Sequence, residues 1–154
     1  MGISAYVRGL RQRIGNGFLL MPSVAAIIRD GDGRVLLVQH VEGRWQMPGG
    51  AVDPDERPEE AIRREVREEA RVDVEVGDVL GVFGGPEYRV TYANGDEAGW
   101  VVAVYSARIA GGGSPAAGDP DEIQSVGWFS PAEIEALPLH VSTRRTLEAV
   151  LRRS

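Results

Sequence analysis

Apolar and polar positions along the 154-residue chain change period several times, and each change predicts an element. Tyr6, Leu10 and Ile14 recur at helical spacing with Arg8, Arg11 and Arg13 between them. This predicts an amphipathic helix over about 3–14, packed through that stripe and closed by Gly15-Asn16-Gly17. Ser23 to Ile28 and Val35 to Gln39 are apolar, β-branched runs joined by Asp30-Gly31-Asp32-Gly33, which reads as a hairpin. Arg44 to Val52 follows as a loop with a short extended piece. Pro58 to Ala70 is the strongest helical segment, with proline at the first helical position, where its missing N–H costs nothing. Val72, Val74 and Val76 alternate with Asp73 and Glu75, marking a half-buried strand. Arg89 to Tyr92 and Trp100 to Ala107 flank Asn94-Gly95, a hairpin cue. A glycine, serine and proline loop (Gly111 to Asp119) precedes a strand at Ser125 to Phe129. A short helix opened by Ser130-Pro131 and a final amphipathic helix over about 142–153 complete the chain. No internal repeat or long linker divides it. The expectation is one α+β domain over 1–154, with mostly antiparallel strands and helices covering the sheet faces.

On a wheel of about 100° per residue, Ile62, Val66 and Ala70 form the buried stripe of the Pro58–Ala70 helix, while Arg64 and Arg67 fall on the water side. Glu65 and Glu69 border the stripe. A solvated helix laced with ion pairs explains Glu59 before Arg63 and Glu60 before Arg64, both at i,i+4. It does not explain Glu65, whose neighbours three and four residues away are Ala61, Ile62, Glu68 and Glu69, nor Glu69, which meets Glu65, Val66, Val72 and Asp73. Like charges at i,i+4 cost about 0.2–0.5 kcal/mol in water and more where partly desolvated. The arrangement lacks a cation, and a hard divalent ion that takes carboxylates, waters and substrate phosphates as ligands would supply one.

Composition narrows the chemistry further. There is no cysteine, so disulfides, thiolate metal sites and a cysteine nucleophile are excluded. All 17 basic residues are arginine, which removes Schiff-base chemistry and a P-loop lysine. A net charge of -6 without a basic block argues against a nucleic-acid binder. No apolar run approaches the roughly 18 residues of a membrane span, and MGISAYVRGLRQR has no signal-peptide pattern, so a cytoplasmic protein is expected.

Gly50 is followed after five residues by Glu56, then after seven by Arg64-Glu65-Val66-Arg67-Glu68-Glu69, and finally by Val72. This resembles the Nudix box, Gly-x5-Glu-x7-Arg-Glu-U-x-Glu-Glu-x-Gly-U with U apolar. Six of its seven fixed positions match, and Trp45-Gln46-Met47-Pro48-Gly49-Gly50 is similar to the family's usual approach to the box. The resemblance covers about residues 20 to 150. It implies an α/β/α sandwich with a mixed, mostly antiparallel sheet, and Mg²⁺- or Mn²⁺-dependent hydrolysis of a nucleoside diphosphate linked to another group. Candidate substrates are ADP-ribose, nucleoside triphosphates and dinucleoside polyphosphates. By the same resemblance Glu65, Glu68 and Glu69 are metal-binding carboxylates, Glu65 is also a candidate to orient or deprotonate water, Arg64 and Glu56 brace the helix against the preceding loop, and Gly49 offers its carbonyl to a metal. Gly49 and Gly50 are expected to let the backbone approach the ions and to take positive φ.

Two positions depart from the pattern. Arg71 replaces the box glycine, so the helix either ends on a non-glycine residue in the left-handed region, at about 1 kcal/mol or more, or runs another turn. Arg57 stands where a Ser or Thr cap is frequent. Outside the box, Glu122 matches the further acidic residue many members take from a loop before the last strand, and a solvated acidic loop explains it equally well. Arg44 and Arg89 are candidates to grip phosphates. Trp45, Phe83, Tyr88 and Trp100 read as core aromatics, with base stacking as the alternative, and His40 and His140 read as structural or surface residues. The rival to an enzyme is a nucleotide-sensing or scaffold protein that keeps the fold without cleaving. Dimers are common among similar proteins, which leaves a homodimer open.

Overall fold

The structure, a computed structural model, describes residues 3–152. Helix α1 (Ala5–Ile14) is capped by the Ser4 hydroxyl, which accepts from the Val7 N–H, and closes at Gly15 with φ 63°. Its packing differs from the expectation. Val7 is its buried residue, whereas Tyr6 and Ile14 of the predicted stripe are exposed. Arg11 holds the helix down instead, donating to the carbonyls of Gly17 at 2.6 Å and Glu97 at 2.8 Å.

Strands β1 (Leu19–Ile28) and β2 (Val35–His40) flank a true turn, with the Asp30 carboxylate accepting from the Asp32 and Arg34 N–H groups. They do not form the predicted hairpin. After a single bridge between Arg29 and Val35 they part into different sheets. The reason lies in their composition: both runs are apolar on both faces, so each needs cover on both sides and a central position. β1 lies between β4 (Gly49–Ala51) and β7 (Glu97–Ile109), and β2 between β3 (Trp45–Gln46) and β8 (Ile123–Phe129). β5 (Val74–Phe83) and β6 (Arg89–Thr91) pair antiparallel with β7, which runs parallel to β1. The Asn94-Gly95 hairpin forms as predicted. β5 extends well past Val76, with irregular register around Val79 that hides the continuation from a period-two reading.

Helix α2 (Pro58–Ala70) keeps its predicted limits. Alternation along β1 sends Val24, Ala26 and Ile28 into a layer beneath Ile62 and Val66 of α2. Ala25 and Ile27 enter the opposite layer, where they meet Ile134 of α3 (Pro131–Glu135) and Leu147 and Val150 of α4 (Val141–Leu151). Helices therefore cover both faces, giving the α+β sandwich. The predicted end of the last helix at Arg153 lies outside the described residues. No helix among the described residues is long and apolar enough to cross a membrane.

Candidate active site

Arg64 is the hub of α2. Its Nε and Nη2 donate to the Glu56 carboxylate at 2.7 and 2.9 Å, and Nη2 also reaches the Ala51 carbonyl at 2.9 Å. The helix is thus tied to β4 and to the loop after it, and Arg64 holds the Glu56 carboxyl below its ordinary pKa. Arg64 is half-buried and not on the water side that the wheel predicts, because its guanidinium is drawn to Glu56 and the Ala51 carbonyl. Its Nη1 donates to Glu65 Oε1 at 2.7 Å, so Glu65 is not without a cation. Helical spacing of three and four residues does not include the sequence-adjacent Arg64, whose long side chain has that reach. The i,i+4 pair from Glu60 to Arg64 is also replaced, with Glu60 turning back to the Arg57 N–H at 2.8 Å.

Glu69 is 4% exposed, and one of its oxygens accepts from the Gly49 N–H at 2.8 Å. Burial, then Glu65, Glu122 and Glu68, push its pKa well above the ordinary carboxylate value. Glu65 is pushed up to about 7 by burial, against the pull of Arg64 and with help from Glu68 and Glu122. Glu68 is raised as well, chiefly by burial. Glu122 therefore faces the same acidic row from another element. Glu65 and Glu68 share the Arg64 guanidinium with Glu56, while Glu69 lies deeper, with the Gly49 N–H as its donor. As they stand they do not converge on one point, and no group of three acidic or imidazole side chains among the described residues is placed to grip an ion as a closed cage. An all-oxygen, open row of mutually repelling carboxylates suits a hard divalent ion that keeps waters and substrate oxygens as ligands.

Glycine serves here by close approach. A Cβ on Gly50 would lie 2.6 Å from the Glu65 carboxylate, and one on Gly49 would lie 2.1 Å from the Val24 carbonyl oxygen. Neither takes the expected positive φ. At the other end of α2, Arg71 adopts the left-handed conformation (φ 55°, ψ 34°), so the helix stops there. A strap from the loop between β7 and β8 closes that end. The N–H groups of Ala116, Gly118 and Asp119 donate to the carbonyls of Ala70, Glu69 and Glu68 at 2.9, 3.0 and 3.2 Å, and Arg71 Nη2 donates to the Gly118 carbonyl at 3.3 Å. The strap runs into the turn that carries Glu122.

His40, read from sequence as structural or surface, ends β2 beside the acidic row, with Nε2 3.7 Å from Glu69 Oε2. Burial lowers its pKa, so the ring is neutral near pH 7, and Nε2 is buried without a hydrogen-bond partner among the described residues. No local spacing signals this, because the contact is made by the turn of β2 toward the end of α2.

Beside β4 lies a cavity of about 650 Å³, bounded by Gly49 and Gly50 on the carboxylate side and by Trp45, Met47, Tyr88 and Trp100. Arg44 and Arg89 both reach its wall. Arg44 also stands 3.6 Å from Glu42, and Arg89 lies over the Phe18 ring at 4.2 Å. The aromatics differ in their surroundings. Phe83 packs in the core, Trp45 meets Phe129 edge-on while bordering the cavity, and the buried Tyr88 hydroxyl is 2.6 Å from Thr146 Oγ1.

The family model for the NUDIX domain matches residues 19–150. The chain belongs to the Nudix family. It is 31% identical over 129 residues to a MutT-like protein of Streptomyces ambofaciens, covering 83% of this chain and 75% of that protein. It is 34% identical over 125 residues to the nucleoside triphosphatase NudI of Salmonella heidelberg, covering 75% of this chain and 86% of the relative. Among solved structures, a MutT NUDIX hydrolase from Burkholderia pseudomallei superposes with a TM-score of 0.70 at 34% identity, covering 86% of this chain and 98% of the other. The chain is a Nudix hydrolase, and its general reaction is pyrophosphate hydrolysis. Nudix hydrolases generally use a divalent metal.

Proposed function

We propose that the chain, acting as one Nudix domain over 1–154, hydrolyses the pyrophosphate bond of a nucleoside diphosphate linked to another group, with Mg²⁺ or Mn²⁺. The observation that carries this reading is the partly buried row of Glu65, Glu68, Glu69 and Glu122, in which neighbouring carboxylates raise the proton affinity of Glu65, Glu68 and Glu69, beside a cavity of nucleotide size. Glu65, Glu68 and Glu69, with the Gly49 carbonyl, would hold the ion. Bound there, it would supply neutralisation of charge on the pyrophosphate oxygens and activation of water. Glu65, whose carboxylate lies against Gly50, is the candidate to orient or deprotonate the attacking water. Arg64 and Glu56 brace α2 against the loop, and Gly50 admits the Glu65 carboxylate. Glu122 completes the row, while Arg44 and Arg89 present planar forks to phosphate oxygens from the cavity wall. The absence of a basic block, together with the size of the cavity, favours a small nucleotide over a nucleic acid, in a cytoplasmic protein acting alone or as a homodimer.

Turnover of ADP-ribose, nucleoside triphosphates and dinucleoside polyphosphates, each with Mg²⁺, Mn²⁺ or chelator, tests the reading. Metal-dependent cleavage of at least one class is expected. Tight nucleotide binding with no cleavage of any of them would instead establish a sensing protein.

A further inference from the structure

One buried polar atom beside the acidic row is unused by the chemistry proposed above. Leu36 and Val38 of β2 enter the layer beneath α2, and alternation gives His40 the same face. A third apolar residue would complete that row, yet the chain puts an imidazole there. The ring is half-buried, and its Nε2 is fully buried without a hydrogen-bond partner among the described residues, 3.7 Å from Glu69 Oε2.

The backbone around His40 is held from three sides. Its N–H donates to the Arg44 carbonyl at 2.9 Å, its carbonyl accepts from the Gly43 N–H at 2.8 Å, and the following N–H, of Val41, donates to the Glu122 carbonyl at 2.9 Å. The register of β2 against β8 slips at this point, from Gln39 opposite Ser125 to His40 opposite Ile123, leaving Gln124 as a bulge. Bulges of this kind end a ladder and re-aim a side chain beside a site. Here the slip sets His40 where the α2 row and the turn of Glu122 meet.

Glu69 turns one oxygen to each of two neighbours. Oε1 accepts from the Gly49 N–H at 2.8 Å, while Oε2 faces His40 Nε2 across a gap about 0.5–1 Å longer than a hydrogen bond. A buried carboxylate with one N–H partner is under-supplied with donors. An arginine at position 40 would supply one, but with a fixed positive charge that contests the place of a metal ion. A neutral imidazole N–H supplies the bond without that charge.

We propose that His40 is a positioning residue for Glu69: its Nε2–H closes onto Oε2 and, together with the Gly49 N–H, fixes the plane of the carboxylate that receives the divalent ion. This rests on the metal-dependent reading of the acidic row. Outer donors to a ligating group are worth about 10–100-fold in metal affinity.

The test is calorimetric titration of Mn²⁺, without nucleotide, into wild type, His40→Leu and His40→Gln. Leucine continues the row of Leu36 and Val38 and removes the donor, whereas glutamine keeps an N–H at similar reach. His40→Leu is expected to bind Mn²⁺ about tenfold more weakly or worse, and His40→Gln within about threefold of wild type. On a Glu69→Gln background, His40→Leu should cost less than about threefold more, because its partner is already gone. Metal-free His40→Leu should melt no lower than wild type, since the atom it removes is unpaired in the fold. Equal Mn²⁺ affinity in wild type and His40→Leu, no rescue by glutamine, an undiminished loss on the Glu69→Gln background, or a fall in melting temperature that accompanies the loss of affinity would overturn the assignment. So would nitrogen modulation in the electron spin-echo spectrum of bound Mn²⁺ that vanishes in His40→Leu, which would make His40 a ligand. A wild type that shows this His40 dependence yet cleaves no nucleotide upholds the assignment and overturns the hydrolytic reading alone.

Discussion

Replacing Gly118 by alanine should damage the end of α2 that carries Glu68 and Glu69. A Cβ at that position would lie 1.7 Å from the Glu68 carbonyl oxygen and 2.7 Å from its carbon, both backbone atoms that cannot rotate away. The strap must retreat by more than about 1 Å to reach ordinary contact. That movement breaks the flanking bonds from Gly118 N to Glu69 O and from Asp119 N to Glu68 O. Each is worth about 0.5–1.5 kcal/mol net, and forced overpacking adds about 1–3 kcal/mol. A loss near 3 kcal/mol corresponds to a fall in Tm of about 6–12 °C for a domain of this size. The control is Gly113→Ala in the same loop. Its Cβ would meet Val72 Cγ1 at 3.5 Å, an ordinary contact, so its stability should stay within about 0.5 kcal/mol. Thermal unfolding of both variants, followed by circular dichroism, checks the pair, and turnover should fall in Gly118→Ala because Glu122 follows the displaced strap. A Gly118→Ala protein melting within 1 °C or so of wild type would refute the claim that the strap is locked onto the helix.

Glu69→Gln should abolish most turnover and weaken calorimetric Mn²⁺ binding while leaving the metal-free fold as stable as wild type or more so, since it removes a buried charge with one N–H partner. Glu65 has a folded pKa raised to about 7 from 4.5, so the folded state holds its proton where the unfolded state has released it. The metal-free protein should therefore lose stability as pH rises through that interval and level off above it, by a contribution on the order of 3 kcal/mol. In melts across the same range, the stability of Glu65→Gln relative to wild type should climb with pH; a flat difference would contradict the shift. Arg57→Ser supplies a side-chain acceptor that the α2 N-cap lacks, and should raise stability by about 0.5–1 kcal/mol in chemical denaturation.

Legibility in the sequence followed the range of the forces involved. The limits of α2 were readable because period, Pro58 and the acidic spacing are all local. The turn at Asp30 to Gly33 was equally local and correctly read, but the sheets to which β1 and β2 belong are decided by their partners β4, β7, β3 and β8, which no local pattern names. Within the site, the structure ties Arg64 to Glu56 and gathers Glu65, Glu68 and Glu69 along α2, as the motif implied, and brings Glu122 to the same row from a later loop. It differs where a long side chain chooses among partners: Arg64 turned to Glu65, and Arg11 outweighed the apolar stripe of α1. The contact of His40 with Glu69 was invisible because it joins two segments distant in sequence. Arg71 was flagged as a departure, and the structure shows the first of its two readings, a left-handed stop now clasped to Gly118.

The boundary between the carboxylates and the cavity is made of two residues with no side chains, Gly49 and Gly50. Nothing protrudes from that partition for a mutation on either side to push against. Recognition can therefore drift, one aromatic or amide at a time, while the hydrolytic half stays as it is. The scaffold is organised so that a new diet can evolve without relearning how to cut.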